Sequence, residues 1–142
     1  MSSLRINGFH GEFRFLSNFA PVTVEYEGMS FPSVEHAYVA AKTTDLEKRR
    51  EIQQVPTAGQ VKRLGRRLKV REDWEDIKVD VMRDLLIQKF SQEPYKTKLI
   101  QTRGYYLEET NTWGDTFWGV CEGVGDNVLG WILMEIRGWL EE

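Results

Sequence analysis

The sequence predicts an α+β fold, a small antiparallel sheet packed with several α-helices, in a single domain over residues 1–142. Three observations lead there. Val22, Val24 and Tyr26 alternate with polar residues, and after Glu27-Gly28 the stretch Met29-Ser30-Phe31 returns, which is a strand–turn–strand pattern. From Ser33 to Gly104 the apolar spacing becomes helical, and several segments open on a capping residue. One further strand-like stretch, Tyr105–Thr110, then precedes a last helix. Strands followed by helices, without regular alternation, segregate into an α+β arrangement.

Each element has its own local reason. Pro32 is expected to end the second strand, because proline gives no ladder hydrogen bond. Ser33 caps a helix reading VEHAYVAAK. Thr44-Asp45-Leu46-Glu47 has the capping-box form and opens a charged helix that Pro56 stops. Thr57-Ala58-Gly59-Gln60 repeats the form and opens a basic helix through about Leu68. Ile77, Val81, Met82, Leu85 and Leu86 recur at helical spacing between Trp74 and Phe90. Pro94 starts a shorter helix ending near Gly104, and Leu129, Ile132, Leu133, Ile136 and Leu140 line one face of a helix from about Asn127.

Composition narrows the class. With 41% hydrophobic and 29% charged residues, 142 residues suffice for one core. One cysteine, Cys121, excludes a disulfide framework and a cysteine-based zinc site. Two histidines, His10 and His36, without HExxH-like spacing, leave no metal set, and neither a Walker A loop nor GxGxxG is present, so no cofactor is called for. The N-terminal stretch lacks the apolar core of a signal peptide and no run approaches a membrane span, so the expectation is a cytoplasmic protein with no membrane partner. Sequence leaves the oligomeric state open. The net charge of -3 hides an asymmetry: residues 48–71 hold nine of the 19 basic residues and one acid, whereas residues 104–142 hold eight acids and one base. Such a basic stretch attracts phosphates, and is equally the solvated face of charged helices.

Three clusters carry candidate chemistry. Glu35 and Lys42 are seven residues apart, so they share a face of the first helix with Tyr38 between them, roughly 10 Å apart along the axis. That spans two ends of a nucleotide-sized ligand, and the first-turn position of Glu35 also suits the helix dipole. His36 is read as a packing or capping residue. The run from Glu108 to Val120 gathers Glu109, Trp113, Asp115, Trp118 and Gly119 after a strand, supplying carboxylates, indoles for stacking and glycines for close backbone approach; Trp plugs in a structural turn are the plainer reading. Arg14, Ser17 and Asn18 thread hydrogen-bonding groups among Phe13, Phe15 and Phe19, and could hold ribose or phosphate.

These clusters resolve together in one resemblance. The chain resembles the NADAR, or YbiA-like, family. The matching pieces are Phe15-x-Ser17-Asn18-Phe19 with Pro21, Phe31-Pro32-Ser33-Val34-Glu35-His36-Ala37-Tyr38-x-x-x-Lys42, Lys89-Phe90, Leu107-x-Glu109, Asp115-x-x-Trp118-Gly119 and Gly125-x-Asn127-x-Leu129-Gly130-x-x-Leu133-Met134-x-x-Arg137. They run in order over about residues 13–137. The resemblance implies an α+β fold and an N-glycosidase acting on a ribosylated or ADP-ribosylated base. The substrate would be a ribosylaminopyrimidine phosphate of the riboflavin pathway, or ADP-ribosyl-guanine in nucleic acid. Glu35, Lys42 and Asp115 would be catalytic, and Arg14, Ser17, Asn18, Glu109, Trp113, Trp118 and Gly119 would bind substrate. Either acid could be the base and the other the acid, and Lys42 could orient substrate or form a Schiff base. Val39, where many relatives carry Gln, and Arg103, inside a usual Thr-Gly pair, bear on substrate choice.

Two other functions fit parts of the sequence. A module that holds ADP-ribose or another nucleotide without turnover needs the same aromatic and charged groups. A nucleic-acid-binding protein would use the basic helices of residues 48–71, against the overall acidic balance.

Overall fold

The computed structural model describes residues 4–142. In chain order the elements are β1 (Arg5–Asn7), a short 3-10 helix (Gly11–Leu16), β2 (Pro21–Tyr26), β3 (Met29–Ser33), α1 (Val34–Ala41), α2 (Leu46–Gln53), α3 (Ala58–Gly65), α4 (Trp74–Phe90), α5 (Tyr95–Gln101), β4 (Tyr106–Glu108), β5 (Thr110–Asn111), β6 (Val120–Cys121) and α6 (Val128–Leu140). The architecture is α+β. The chain forms two compact units, Asn18–Lys89 and the remainder, residues up to Ser17 with Phe90–Glu142.

In the unit Asn18–Lys89, β2 and β3 form an antiparallel hairpin with Val24 opposite Phe31, both buried. Glu27 and Gly28 both take positive φ (46° and 83°), as a two-residue turn matching strand twist requires. The strand does not stop before Pro32. It continues to Ser33, because Pro32 lies opposite the register shift between Pro21 and Val24, where no ladder bond is asked of its nitrogen.

Ser33 caps α1 as expected: its Oγ accepts from the His36 amide at 3.0 Å. His36 is buried and bridges, with Nδ1 2.6 Å from Ser33 Oγ and Nε2 donating to the Val55 carbonyl at 2.9 Å. Every residue of α1 except Glu35 is buried, which the small Ala37, Ala40 and Ala41 permit. The cap of α2 is Asp45 rather than Thr44, because Asp45 Oδ1 reaches the amides of both Glu47 and Lys48. Buried Arg49 on α2 gathers carbonyls at and just beyond the end of α1, donating from Nε to Ala40 (3.2 Å) and Thr43 (2.9 Å), and pairs with Glu27 at 2.7 Å. Thr57 and Gln60 form the capping box of α3, which ends at Gly65 and passes through tighter turns to Leu68. α4 spans the expected range, and its Gln88 side chain bonds both backbone groups of Glu25, completing the β2 edge.

In the other unit, β1 and β4 pair in parallel, as do β5 and β6, so among the described residues β2–β3 is the antiparallel strand pair, beside one isolated antiparallel bridge between Cys121 and Val124. The expected strand Tyr105–Thr110 is broken at Glu109, whose amide donates to the Asn127 side chain at 3.0 Å. Asn127, left-handed at φ 52°, also donates to the Leu107 carbonyl, which joins the start of α6 to β4. Leu129, Ile132, Leu133 and Ile136 of α6 and Leu99 of α5 fill this core. The segment Gly11–Leu16, for which the sequence predicts no element, folds as the 3-10 helix, with Leu16 buried. Among the described residues, no helix is long and apolar enough to cross a membrane.

Candidate active site

The unit Asn18–Lys89 brings Glu35 and Lys42 together on one face of α1. Glu35, in the first turn, is the half-buried residue of an otherwise buried helix, and its amide donates to the Asn18 carbonyl at 3.1 Å. Lys42 ends the helix, and its carbonyl accepts from the Arg71 amide at 2.8 Å. Its ammonium lies 5.3 Å from the centroid of the Tyr38 ring. Tyr38 in turn packs on Trp74 of α4, with centroids 5.1 Å apart. On the other flank α3 supplies Gly65; a Cβ there would meet Val39 at 3.1 Å and the Lys42 ammonium at 3.8 Å. The amine therefore rests on aromatic surface between two helices.

This setting changes its acidity. Burial lowers the Lys42 pKa from its ordinary value; the Glu35 charge opposes that, and the Lys78 charge adds to it. An amine so placed loses its proton more readily than a solvated lysine, which is the condition for acting as a nucleophile. Asn18 adds an oddity. Its Nδ2 reaches only the Met82 sulfur at 3.6 Å, and its Oδ1 is buried without a hydrogen-bond partner. Such orphaned acceptors are rare in folded proteins.

Asp115 lies in the other unit and organises its own loop. Oδ1 accepts from the amides of Phe117 (3.1 Å) and Trp118 (2.9 Å), while its backbone exchanges two bonds with the Asn111 side chain. The carboxylate is thus held in one orientation. Trp118, half-buried, packs edge-on to Phe117, and Trp113 is 53% exposed. Glu109 is half-buried at the strand end. Gly119 is buried against the Glu109 carbonyl, with no room for a side chain. Arg14 is exposed on the 3-10 helix, and Ser17 closes it by donating its amide to the Arg14 carbonyl.

Sequence reasoning missed Trp74, Lys78 and Gly65 as parts of the Lys42 setting. Trp74 and Lys78 stand four residues apart on α4, so the helical register already puts them on one face; which helix they meet is a tertiary fact. Lys89 stands out in the sequence only within the Lys89-Phe90 motif, which does not show that it is fully buried near the end of α4 or that burial lowers the pKa of its amine to about 7. An open depression of about 640 Å³ lined by Glu47, Arg50 and Glu51 of α2 contains none of these residues. Among the described residues, no three histidine, cysteine or acidic side chains come together as metal ligands.

Comparison with known proteins places the chain by family and fold. The model of the NADAR domain matches residues 7–141. A riboflavin biosynthesis protein of Vibrio vulnificus is 39% identical over 132 residues, covering 90% of this chain and 36% of that protein. The chain therefore spans about a third of that relative. The N-glycosidase YbiA of Escherichia coli is 38% identical over 132 residues, covering 90% of this chain and 80% of YbiA. The NMR structure of Escherichia coli YbiA superposes with a TM-score of 0.86 at 33% identity, covering 99% of this chain and 87% of that one.

Proposed function

Since the chain belongs to the NADAR domain family, we propose that it is an N-glycosidase that hydrolyses the bond between a ribose and a base. We favour a ribosylaminopyrimidine phosphate as substrate. Relatives named for riboflavin biosynthesis and as N-glycosidases support that choice. The observation that carries the reading is the Lys42 amine, laid on the Tyr38 ring beside Glu35 and made easier to deprotonate by burial.

Cleaving the N-glycosidic bond builds positive charge on C1 and the ring oxygen. Lys42, neutral, attacks C1; the electron pair of the C1–N bond leaves with the base, which takes up a proton. The new glycosyl amine gives up its extra proton to Glu35, and ring opening converts it to an imine. Water adds to the imine, Glu35 guides the proton transfers, and Lys42 is released as the sugar departs. Asp115, oriented through Oδ1 within its own unit, is the third residue assigned a catalytic role. Asn18, Ser17 and Arg14 are assigned to sugar and phosphate, and Trp113 and Trp118 to the base, with Glu109 and Gly119 supporting that loop. The reducing cytoplasm is the proposed compartment.

The test is base release, followed by chromatography, for Glu35→Gln, Lys42→Ala and Asp115→Asn, with folding checked by circular dichroism. Each substitution should lower kcat by about 100-fold or more. Borohydride added during turnover should trap a sugar on Lys42, visible by mass spectrometry. Near wild-type rates in all three variants remove the mechanism, and absence of an adduct on Lys42 removes the imine. Tight calorimetric binding of intact substrate with no released base would identify a binding module instead. ADP-ribosylated guanine in DNA and RNA belongs in the same substrate panel, because Arg63, Arg66, Arg67 and Lys69 are exposed beyond the Lys42 site.

A further inference from the structure

The run between α3 and α4 crosses the end of α1 at the residue that carries the candidate nucleophile. A helix leaves its last carbonyls without partners of its own. At the end of α1, Arg71 takes up two of them. Its amide donates to the Lys42 carbonyl at 2.8 Å, and its guanidinium reaches the Ala41 carbonyl from Nη1 at 3.5 Å. A cation suits that end of a helix. Asp73 holds the other edge of the guanidinium, with Oδ1 2.6 Å from Nε and Oδ2 3.1 Å from Nη2. The two-pronged pair fixes the plane of the fork and leaves Nη1 directed at α1. The same two residues begin α4. The Trp74 amide donates to the Arg71 carbonyl at 3.2 Å, and the Asp76 amide to the Asp73 carbonyl at 3.0 Å. Buried Trp74 packs on Tyr38, and Tyr38 is the ring beside the Lys42 amine. Arg71 thus ties the backbone from which the Lys42 side chain springs to the ring stack on which its amine lies. All of these residues belong to the unit Asn18–Lys89.

We propose that Arg71 is a positioning residue for Lys42: oriented by Asp73, its guanidinium locks the start of α4 against the end of α1 and so keeps the Lys42 amine on the Tyr38–Trp74 stack in the geometry that attacks the sugar. The role rests on the glycosidase reading for its reaction and adds a residue that acts through Lys42. As a stabiliser the pair is weak, because half of the Asp73 side chain is exposed to water. Its effect lies in where it holds Trp74. Charge is not the means: the charges that act on the Lys42 amine are those of Glu35 on α1 and Lys78 on α4, while α3 presents Gly65 there. A lysine at position 71 would keep the charge but lack the fork, which meets a carboxylate with two donors and a carbonyl with a third. Misplacing a reacting group by about 1 Å is enough to slow a reaction strongly.

Chemical labelling of Lys42 tests its placement apart from catalysis, because it needs no substrate. The whole chain is treated with limiting acetic anhydride across about pH 7 to 11, and acetylation of Lys42 is read by mass spectrometry. The wild-type midpoint should lie below 10.5. In Arg71→Gln it should move up toward 10.5, because water reaches a released amine. With ribosylaminopyrimidine phosphate as substrate, kcat of this variant should fall by about ten-fold or more while KM stays within about two-fold. Arg71→Lys should behave like Arg71→Gln. Asp73→Asn should move the midpoint the same way by less, and should add nothing in the Arg71→Gln background. Wild-type midpoint and kcat in Arg71→Gln overturn the proposal. Full recovery in Arg71→Lys also overturns it, since charge rather than the fork would then act. An additive effect of Asp73→Asn overturns the coupling of the pair. Circular dichroism checks each fold; should Arg71→Gln unfold, Asp73→Asn decides, and an unmoved midpoint there overturns the proposal. Midpoints that move as stated in a chain that releases no base keep the placement of Lys42 and remove the glycosidase. Base release that is indifferent to Arg71 keeps the glycosidase and removes the positioning role.

Discussion

At the scale of single residues, the charges around Lys42 make opposing demands that can be separated. Burial and Lys78 both favour the neutral amine, and Glu35 favours the ammonium. If Lys42 attacks as a neutral amine, the rate of borohydride-trappable adduct formation rises with pH, with a midpoint below the ordinary 10.5. Glu35→Gln removes the influence that raises the pKa, so the midpoint should move to lower pH even as the overall rate falls. Lys78→Met should move it to higher pH. Single-turnover rates across pH measure both, and movements in the opposite directions would show that the titrating group is not Lys42. The residues were legible unevenly. Glu35 and Lys42 were visible from a seven-residue spacing on one helix face. Gly65, Trp74 and Lys78 were not, because nothing local says which helices will cover that face.

At the scale of elements, the sequence told most where local chemistry decides. Ser33 and the Thr57/Gln60 box cap the helices they were expected to cap, and α4 occupies Trp74–Phe90. The differences arise where tertiary partners intervene. Pro32 stays in β3 because its neighbour strand shifts register there, and the Tyr105–Thr110 strand breaks because Asn127 bonds the Glu109 amide. The two glycines inside α6 make the same point quantitatively. Alanine in a helix interior is favoured over glycine by about 1 kcal/mol. Gly138 is exposed with open space where a Cβ would sit, so Gly138→Ala should stabilise by up to about 1 kcal/mol. At Gly130 a Cβ would collide with the Leu107 carbonyl and the Asn127 side chain, both fixed by hydrogen bonds. There overpacking outweighs propensity, and Gly130→Ala should cost about 2 kcal/mol or more. Urea unfolding of the two variants measures the difference; equal effects would mean that the α6–β4 contact yields easily.

At the scale of the whole molecule, composition gave a fair account of class and a poor one of electrostatics. The basic run of residues 48–71 reads as one patch in sequence, yet it divides three ways: Arg49 is buried as a structural clamp, Lys62 sits half-buried on Phe19, and Arg63, Arg66 and Arg67 are solvated. Lys89 shows how a charge can hide inside an apolar pattern. Val81, Met82, Leu85 and Leu86 define the buried stripe of α4, and Lys89 continues it three and four residues on, fully buried. Its amine has a pKa of about 7 in the folded chain and an ordinary 10.5 when unfolded. Below pH 7 the amine is protonated in both states, and the penalty of burying the charge weighs fully on the fold. Between pH 7 and 10.5 the unfolded chain binds a proton that the folded chain lacks, so stability rises with pH. Above that range both states are neutral and the penalty is gone. Lys89→Met keeps the length of the side chain without the charge. Relative to wild type, its stability should therefore stand highest near pH 6, by on the order of a few kcal/mol if the lost amine contacts are minor, and decline steadily toward pH 10. The slope with pH is the decisive quantity, because whatever neutral contacts the amine makes shift the difference by a constant. Thermal or urea unfolding of both proteins from pH 6 to 10 measures it, and a flat difference would mean that the Lys89 amine keeps its ordinary proton affinity in the fold.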